Sequence, residues 1–207
     1  MQIGGFVKQS LIDYPGLVAA VVFTKGCNFR CGYCHNPGLV LPRLFEKKST
    51  YPVKTILDYL KDRAGWLDGV VVTGGEPTIH NDLPEFLKTL KDIGYRVKLD
   101  TNGSHPSMLK HILKEKLADY IAMDIKTLLK KEPYGEITGL SEMDHIMKDI
   151  YTSFEILKNA EIEVEFRTTV IPGVHNDKIL ASIKSEVGEE YRYIMNEFRE
   201  GKTISSF

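Results

Sequence analysis

Short strand-like runs alternate with amphipathic helix-like stretches along almost the whole chain, and few folds accommodate that alternation. The strand candidates are residues 18–24, 70–73, 96–100, 120–124, 163–170 and 191–194. Most are β-branched or aromatic and apolar on both faces, the pattern of strands covered on both sides. Between them, residues 53–66, 83–93, 107–117, 146–159 and 176–187 repeat apolar side chains at three- and four-residue spacings. Pro52, Pro84 and Pro106 fall near the starts of such stretches, where a proline costs least. Strand and helix in alternation give an α/β fold with a parallel sheet. A closed eight-unit barrel takes about 250 residues and each unit about 30. The 207 residues here, less a leader of roughly 20, leave room for about six units. The expectation is a partial, open (βα)6 barrel of parallel strands with outer helices. A doubly wound sheet competes, since periodicity alone cannot separate the two. No repeat or linker divides the chain, so one domain is expected, with a leader (1–17), a core (18–195) and a tail (196–207).

Charge narrows the partners. With 27 Lys and Arg against 28 Asp and Glu, the net charge is −1. A nucleic-acid or anionic-membrane binder needs a basic excess. No apolar run approaches the roughly 18 residues that span a bilayer, and the first residues lack the basic and apolar regions of a secretory signal. A cytoplasmic protein with neither nucleic-acid nor membrane partner is expected.

All three cysteines lie in Gly26-Cys27-Asn28-Phe29-Arg30-Cys31-Gly32-Tyr33-Cys34-His35-Asn36-Pro37. An odd number this close together suits a ligand set better than a disulfide framework. Three readings compete for the spacing CxxxCxxC. A structural zinc could use the three thiolates and one histidine, although His35 adjoins Cys34 and consecutive residues chelate poorly. An iron–sulfur electron carrier uses four cysteines, and the chain has three. The third reading is a 4Fe-4S cluster on three cysteines, with one iron left open for a substrate or cofactor.

CxxxCx(aromatic)C after a first strand resembles the signature of the radical S-adenosylmethionine (radical SAM) enzymes. That resemblance implies a cluster on Cys27, Cys31 and Cys34 whose open iron chelates the amino and carboxylate groups of S-adenosylmethionine. One electron then cleaves the cofactor to methionine and a 5′-deoxyadenosyl radical. Further motifs follow in the family's order. Gly74-Gly75-Glu76-Pro77 resembles the GGEP motif; alone it also reads as a glycine turn closed by proline. Glycines let the backbone approach a ligand closely, and strand-end amides and carbonyls can hold an ammonium and a carboxylate. Asp100-Thr101-Asn102-Gly103 resembles the ribose-side or cation-side motif, and alone is an Asx-type turn. Asp124-Ile125-Lys126 resembles the DxK of glycyl-radical activating enzymes, with a structural ion pair as its plain alternative. Arg167, otherwise a surface arginine, corresponds to a contact to the cofactor's carboxylate. Tyr33 and His35 correspond to positions that line the cofactor. All of these fall at the carboxyl ends of successive strand candidates, the face where parallel barrels build active sites.

Two features point to one branch of the family, since fold and cluster leave the reaction open. Ser10-Leu11-Ile12-Asp13-Tyr14-Pro15-Gly16 resembles the leader of glycyl-radical activating enzymes, and Cys34-His35-Asn36-Pro37 resembles their CHNP run. The likeness is greatest to the activating proteins of anaerobic ribonucleoside-triphosphate reductases. Asn196 to Gly201 resembles their ending, and the late histidine motif of pyruvate formate-lyase activases has no counterpart. The resemblance implies an oxidoreductase that takes hydrogen from a glycine of a larger partner, an anaerobic ribonucleotide reductase, with a flavodoxin- or ferredoxin-type electron donor. The alternatives are a small-molecule radical SAM enzyme of the 7-carboxy-7-deazaguanine synthase kind and a non-catalytic iron–sulfur electron carrier. His80, His105, His111, His145 and His175 carry no motif, and Asn176 or Asp177 reads as a helix cap.

Overall fold

A computed structural model of the chain describes residues 1–45 and 50–206. One sheet holds seven strands in sequence order: β1 (Ile3–Ser10), β2 (Ala19–Thr24), β3 (Gly69–Gly74), β4 (Arg96–Thr101), β5 (Tyr120–Asp124), β6 (Glu163–Val170) and β7 (Arg192–Glu197). Strands β2 to β7 run parallel, while β1 joins β2 antiparallel. The sheet does not close, and β1 and β7 are its free edges. The crossovers carry α1 (Pro37–Val40), α2 (Val53–Asp62), α3 (Leu83–Ile93), α4 (Pro106–Lys114), α5 (Lys131–Thr138), α6 (Asp144–Lys158) and α7 (Asp177–Val187). This is the expected open α/β architecture. Among the described residues no helix is long and apolar enough to cross a membrane.

Local chemistry sets most of the element ends. Pro84 and Pro106 sit in the first turns of α3 and α4, Gly94 ends α3 at φ 106°, and the Asn176 side chain caps α7 through the Ile179 amide at 3.0 Å. Three elements depart from the pattern. The expected leader contains β1, which includes Gly4 and Gly5. A Cβ on Gly4 would overlap Leu39 and one on Gly5 would crowd Phe23, so these glycines serve packing. Helix α5 forms around Pro133 and Gly135, where a Cβ on Gly135 would press on the Leu140 carbonyl. Strand β7 runs past the expected tail boundary to Glu197.

Alternation along the strands divides two environments. Ala20, Val22, Val70, Val72, Val97, Leu99, Ile121, Met123 and Phe166 face the helices and form the main core with Leu83, Leu87, Leu90, Leu109, Ile112 and Phe154. The concave face begins with a small apolar floor of Ala19, Val21, Val71, Tyr120 and Ala122 at the amino ends of the strands. Tyr14, from the β1–β2 loop, fills that floor and meets the Tyr120 ring edge-on at 5.7 Å. The rest of the concave face is charged. Cross-strand register places Lys98 and Asp100 beside Tyr120 and Ala122, Glu165 beside Arg192, and Arg167 beside Ile194. The expectation of strands apolar on both faces therefore fails for β4, β6 and β7. Those charges are tolerated because each lies against an opposite one.

Tyr14 is 1% exposed, so Tyr14→Ala should leave a cavity under the sheet and lower the unfolding free energy by about 3 kcal/mol. Ile12→Ala, two residues earlier and 89% exposed, should change it by less than about 0.5 kcal/mol. Urea denaturation compares the two, and equal effects would remove Tyr14 as the floor.

Candidate functional site

The cysteine loop leaves the carboxyl end of β2 through Gly26 at φ 96°. The Gly26 amide donates to the Leu39 carbonyl at 2.7 Å and the Arg30 amide to the Thr138 carbonyl at 2.8 Å, so α1 and α5 hold the loop from both sides. The Arg30 guanidinium also donates to the carbonyls of Cys27 and Phe29 at 2.6 and 2.7 Å. Backbone amides point at two of the sulfurs, Phe29 N at Cys27 Sγ (3.3 Å) and Asn36 N at Cys34 Sγ (3.4 Å). Burial pushes the Cys27 thiol up to about 12 and raises Cys31 as well.

The GGEP turn is built against this loop. The Gly75 amide donates to Thr24 O at 2.9 Å and the Glu76 amide to Gly26 O at 2.7 Å. A Cβ on Gly74 would overlap the Thr24 backbone, and one on Gly75 would overlap the Gly26 carbonyl oxygen. The close approach that requires these glycines is thus to the strand end before Cys27, a different reason from the ligand approach expected from sequence. Glu76 is 1% exposed. Its Oε1 accepts from Thr78 N (3.1 Å), Thr78 Oγ1 (2.5 Å) and Thr101 Oγ1 (2.8 Å), and its Oε2 accepts from Asn102 N (2.6 Å). Burial raises the carboxyl above its ordinary range, and the hydrogen bonds pull the other way. Asn102 in turn donates to Asn28 Oδ1 at 3.0 Å, joining the β4 tip to the cysteine loop.

Acid and base alternate across the next strand ends. Lys98 donates to Asp100 at 2.9 Å, Arg167 reaches Asp100 at 3.4 Å and Asp124 at 3.0 Å, and Lys126 donates to Asp124 at 2.9 Å. Burial alone would raise Asp124, but Lys126 and Arg167 hold it well below the carboxylate range. Burial likewise opposes the Lys126 charge, and Asp124 outweighs it. Arg167 is half-buried among three carboxylates and is not a free surface arginine.

All thirteen residues singled out by sequence line one cavity of about 240 Å³: Cys27, Cys31, Cys34, Tyr33, His35, Gly74, Gly75, Glu76, Asp100, Asn102, Asp124, Lys126 and Arg167. Phe29 and Thr101, which lie inside the cysteine segment and the Asp100–Gly103 motif, also line it, as do Thr169 and Ile204. His175, which carries no motif, is a strut. Its Nδ1 accepts from the Ile171 amide (2.9 Å), so its Nε2 carries the proton and donates to the Lys126 carbonyl (3.0 Å). A second chamber of about 210 Å³ lies between the β1–β2 loop and β7 and shares Asp100 and Arg167 with the first.

The donor set suits a cluster. Three thiols line one cavity, and soft thiolates are the ligands of iron–sulfur clusters. A bound cation deprotonates a coordinating thiol, and hydrogen bonds to the sulfurs accompany iron–sulfur ligation.

Comparisons with known proteins agree with the fold. The family profile described as the Radical SAM superfamily matches residues 21–185. A protein of Methanocaldococcus jannaschii, provisionally named a glycyl-radical enzyme activating enzyme, is 35% identical over 201 residues, covering 95% of this chain and 79% of its own. A Pyrococcus horikoshii protein provisionally named a GTP 3′,8-cyclase is 31% identical over 159 residues, covering 77% of this chain and 48% of its own. The chain thus spans about half the length of that relative. Among solved structures, Streptococcus suis SuiB bound to S-adenosylmethionine superposes with a TM-score of 0.69 at 16% identity, over 90% of this chain and 42% of that one.

Glu76→Gln should cost about 1–3 kcal/mol, because its amide must turn N–H groups toward donors that now meet a carboxylate. Thermal or urea unfolding measures this, and wild-type stability would show that the turn is held otherwise. Burial holds His175 below its ordinary 6.5. The unfolded chain therefore protonates this side chain at a higher pH than the folded chain does. The stability it contributes is present above about pH 6.5 and is lost as pH falls from there through the lowered folded value. His175→Gln should remove part of the slope of stability against pH in that window, and an unchanged slope would reject the assignment.

Proposed function

The chain belongs to the radical SAM superfamily, and on that premise we propose that it activates a glycyl-radical enzyme. In this reading Cys27, Cys31 and Cys34 hold a 4Fe-4S cluster with one iron left for S-adenosylmethionine. When bound, the two groups supply the electron transfer and the hydrogen-atom acceptor for abstraction from a glycine of the partner. The protein's own residues bind and orient. The strand-end backbone of Gly74 and Gly75 suits the cofactor's ammonium, Arg167 its carboxylate, and Asp100 and Asn102 its ribose. Glu76 keeps the Gly74–Gly75 turn and the β4 tip in register. Lys126 and Asp124 fix Arg167 from the side. Holding such groups in place matters, since a misplacement of about 1 Å can cost on the order of 100-fold in rate.

The second chamber carries the choice of substrate. Three cations, Lys98, Arg167 and Arg192, line it together with three anions, Asp13, Asp100 and Glu165. Each cation already faces a carboxylate: Lys98 faces Asp100, Arg167 faces Asp100 and Asp124, and Arg192 faces Glu165 at 3.4 Å. A nucleoside triphosphate finds no surplus positive charge there, which argues against the chemistry named for the cyclase relatives. A neutral polypeptide segment needs only donors and acceptors for its amides, and the chamber opens between the β1–β2 loop and the free edge strand β7. The relative with the activating-enzyme name, aligned over 95% of this chain, supports the same reading. An anaerobic ribonucleotide reductase is the first candidate partner, on the resemblance of the leader and the CHNP run, and a flavodoxin- or ferredoxin-type protein the candidate electron donor.

Anaerobic reconstitution should give about four irons per chain, and Cys27→Ala, Cys31→Ala or Cys34→Ala should abolish cofactor cleavage. Reduced protein with S-adenosylmethionine should cleave it slowly, and the correct partner should accelerate cleavage and acquire a glycyl doublet in electron paramagnetic resonance. Turnover of a small heterocycle, with no doublet on any glycyl-radical enzyme of the host, would replace this reading with the small-molecule one.

A further inference from the structure

The cysteine loop is covered on most sides. Helix α1 holds it at Gly26 and α5 at Arg30, and the segment after β7 holds it at Gly32 and Cys34 through the Ser205 and Ile204 amides. Toward the β4–α4 loop the arrangement differs, because a line of hydrogen bonds leads from the first cysteine to the surface. Asn102 Nδ2 lies 4.0 Å from Cys27 Sγ and donates to Asn28 Oδ1 at 3.0 Å. Asn28 Nδ2 donates to Ser104 Oγ at 2.9 Å, and Ser104 Oγ gives its one proton to Asn102 Oδ1 at 2.6 Å. His105 Nδ1, 2.9 Å from the same hydroxyl oxygen, is therefore the donor of that contact. Asn102 and Ser104 are buried, and His105 is half-buried just before α4.

The surface beyond His105 has a definite sign. Helix α4 carries Lys110 and Lys114 and no acid, and Glu115 and Lys116 follow it. In α2, α3, α5, α6 and α7 the acids equal or outnumber the bases. Lys110, Lys114 and Lys116 are exposed. Lys114 reaches Glu115 at 3.9 Å, while Lys110 and Lys116 have no ion pair among the described residues. A groove of about 1020 Å³ runs beside them, with Leu113, Ile156 and Ile162 in its lining. Asp119 in that lining is paired with Lys91, which leaves Lys110 and Lys116 against Glu161. Apolar surface inside a charged rim is the make-up of a protein interface.

We propose that the exposed face of α4, with His105 at its amino end, docks an acidic one-electron carrier protein, and that His105, Ser104 and Asn28 form the bonded route from that face to Cys27. The proposal rests on reading the three cysteines as ligands of a cluster that a protein reduces. One electron leaves the carrier, which is oxidised, and enters the cluster, which is reduced, and no bond forms or breaks. Electron transfer falls off steeply with distance, so a carrier gains by facing the side where bonded atoms bridge from a ligand to the surface. Uncompensated positive charge on that side speeds encounter with an acidic protein by roughly 10- to 1,000-fold at low salt, and added salt screens the gain. The lysines act in the encounter, and the hydrogen-bonded loop acts in the transfer.

The test uses the full chain, reconstituted anaerobically and mixed rapidly with a reduced acidic flavodoxin while the cluster's absorbance is followed. Photoreduced deazaflavin, an uncharged small reductant, serves for comparison. Lys110→Glu with Lys116→Glu should lower the second-order rate with flavodoxin about tenfold at low salt, and leave iron content and the deazaflavin rate unchanged. Lys178→Glu with Lys184→Glu, the same charge change at exposed positions of α7, should stay within about twofold of the wild type. Added salt should slow the wild type and not the α4 variant. If the reversed α4 fails to fold, Lys110→Gln with Lys116→Gln carries the test, with a loss of about threefold. Ser104→Ala should lower the limiting rate at saturating flavodoxin and leave the half-saturating concentration unchanged. Equal losses in the α4 and α7 variants, or a wild-type rate indifferent to salt, would overturn the docking face. A wild-type limiting rate in Ser104→Ala would overturn the route. A wild-type chain whose iron deazaflavin cannot reduce would overturn the cluster reading itself.

Discussion

The site is organised around one buried carboxylate. Glu76 accepts four hydrogen bonds, from the turn that follows β3 and from the tip of β4. Its own amide is bonded to Gly26, the residue before the first cysteine. One residue, through its side chain and its amide, therefore joins three strand ends. The donors come from hydroxyls and backbone amides, which cannot retreat to water once buried, so losing the carboxylate strands several polar groups at once. The paired glycines belong to the same construction, since any side chain at Gly75 would collide with Gly26. A turn that resembles a ligand cradle is also the joint that fixes where the cysteine loop begins.

A second constraint runs through the concave face of the sheet. From floor to rim, Tyr14 and Tyr120 give way to Lys98 and Glu165, then to Asp100 and Arg167, then to Asp124 and Lys126. Buried pairs of this kind contribute little net stability, because desolvation offsets their attraction. What they provide is orientation. Arg167 is held by carboxylates on two neighbouring strands, and the chamber beside it remains electrically balanced.

Several elements were legible because their physics is local. The helix at Leu83–Ile93 shows its apolar spacing, its early proline and its terminal glycine in the sequence itself. Strands Tyr120–Asp124 and Glu163–Val170 fall where the apolar runs predict. Other elements were hidden because their cause is distant. The strand in the leader carries Gly4 and Gly5, and the reason for them is Leu39 and Phe23 packed against them. The short helix holding Tyr134 contains a proline and a glycine, and its value to the site is the Tyr134 hydroxyl on the Lys126 amide at 3.2 Å.

By itself the sequence determined the chemistry available: three thiols in one short loop, and acids, bases and glycines just past a series of strand-like runs. In a parallel sheet, spacing along the chain alone forces such residues to one edge, which is why thirteen positions chosen from sequence line one cavity. Only the tertiary structure decided which of them face the cavity freely and which are committed to each other. It made Glu76 a joint and Arg167 a member of a charged lattice, and it brought His35 onto the segment that carries Ile204. The physical reason is that hydrogen bonds and ion pairs are settled by distances of a few ångströms between residues far apart in sequence, and periodicity holds no record of them.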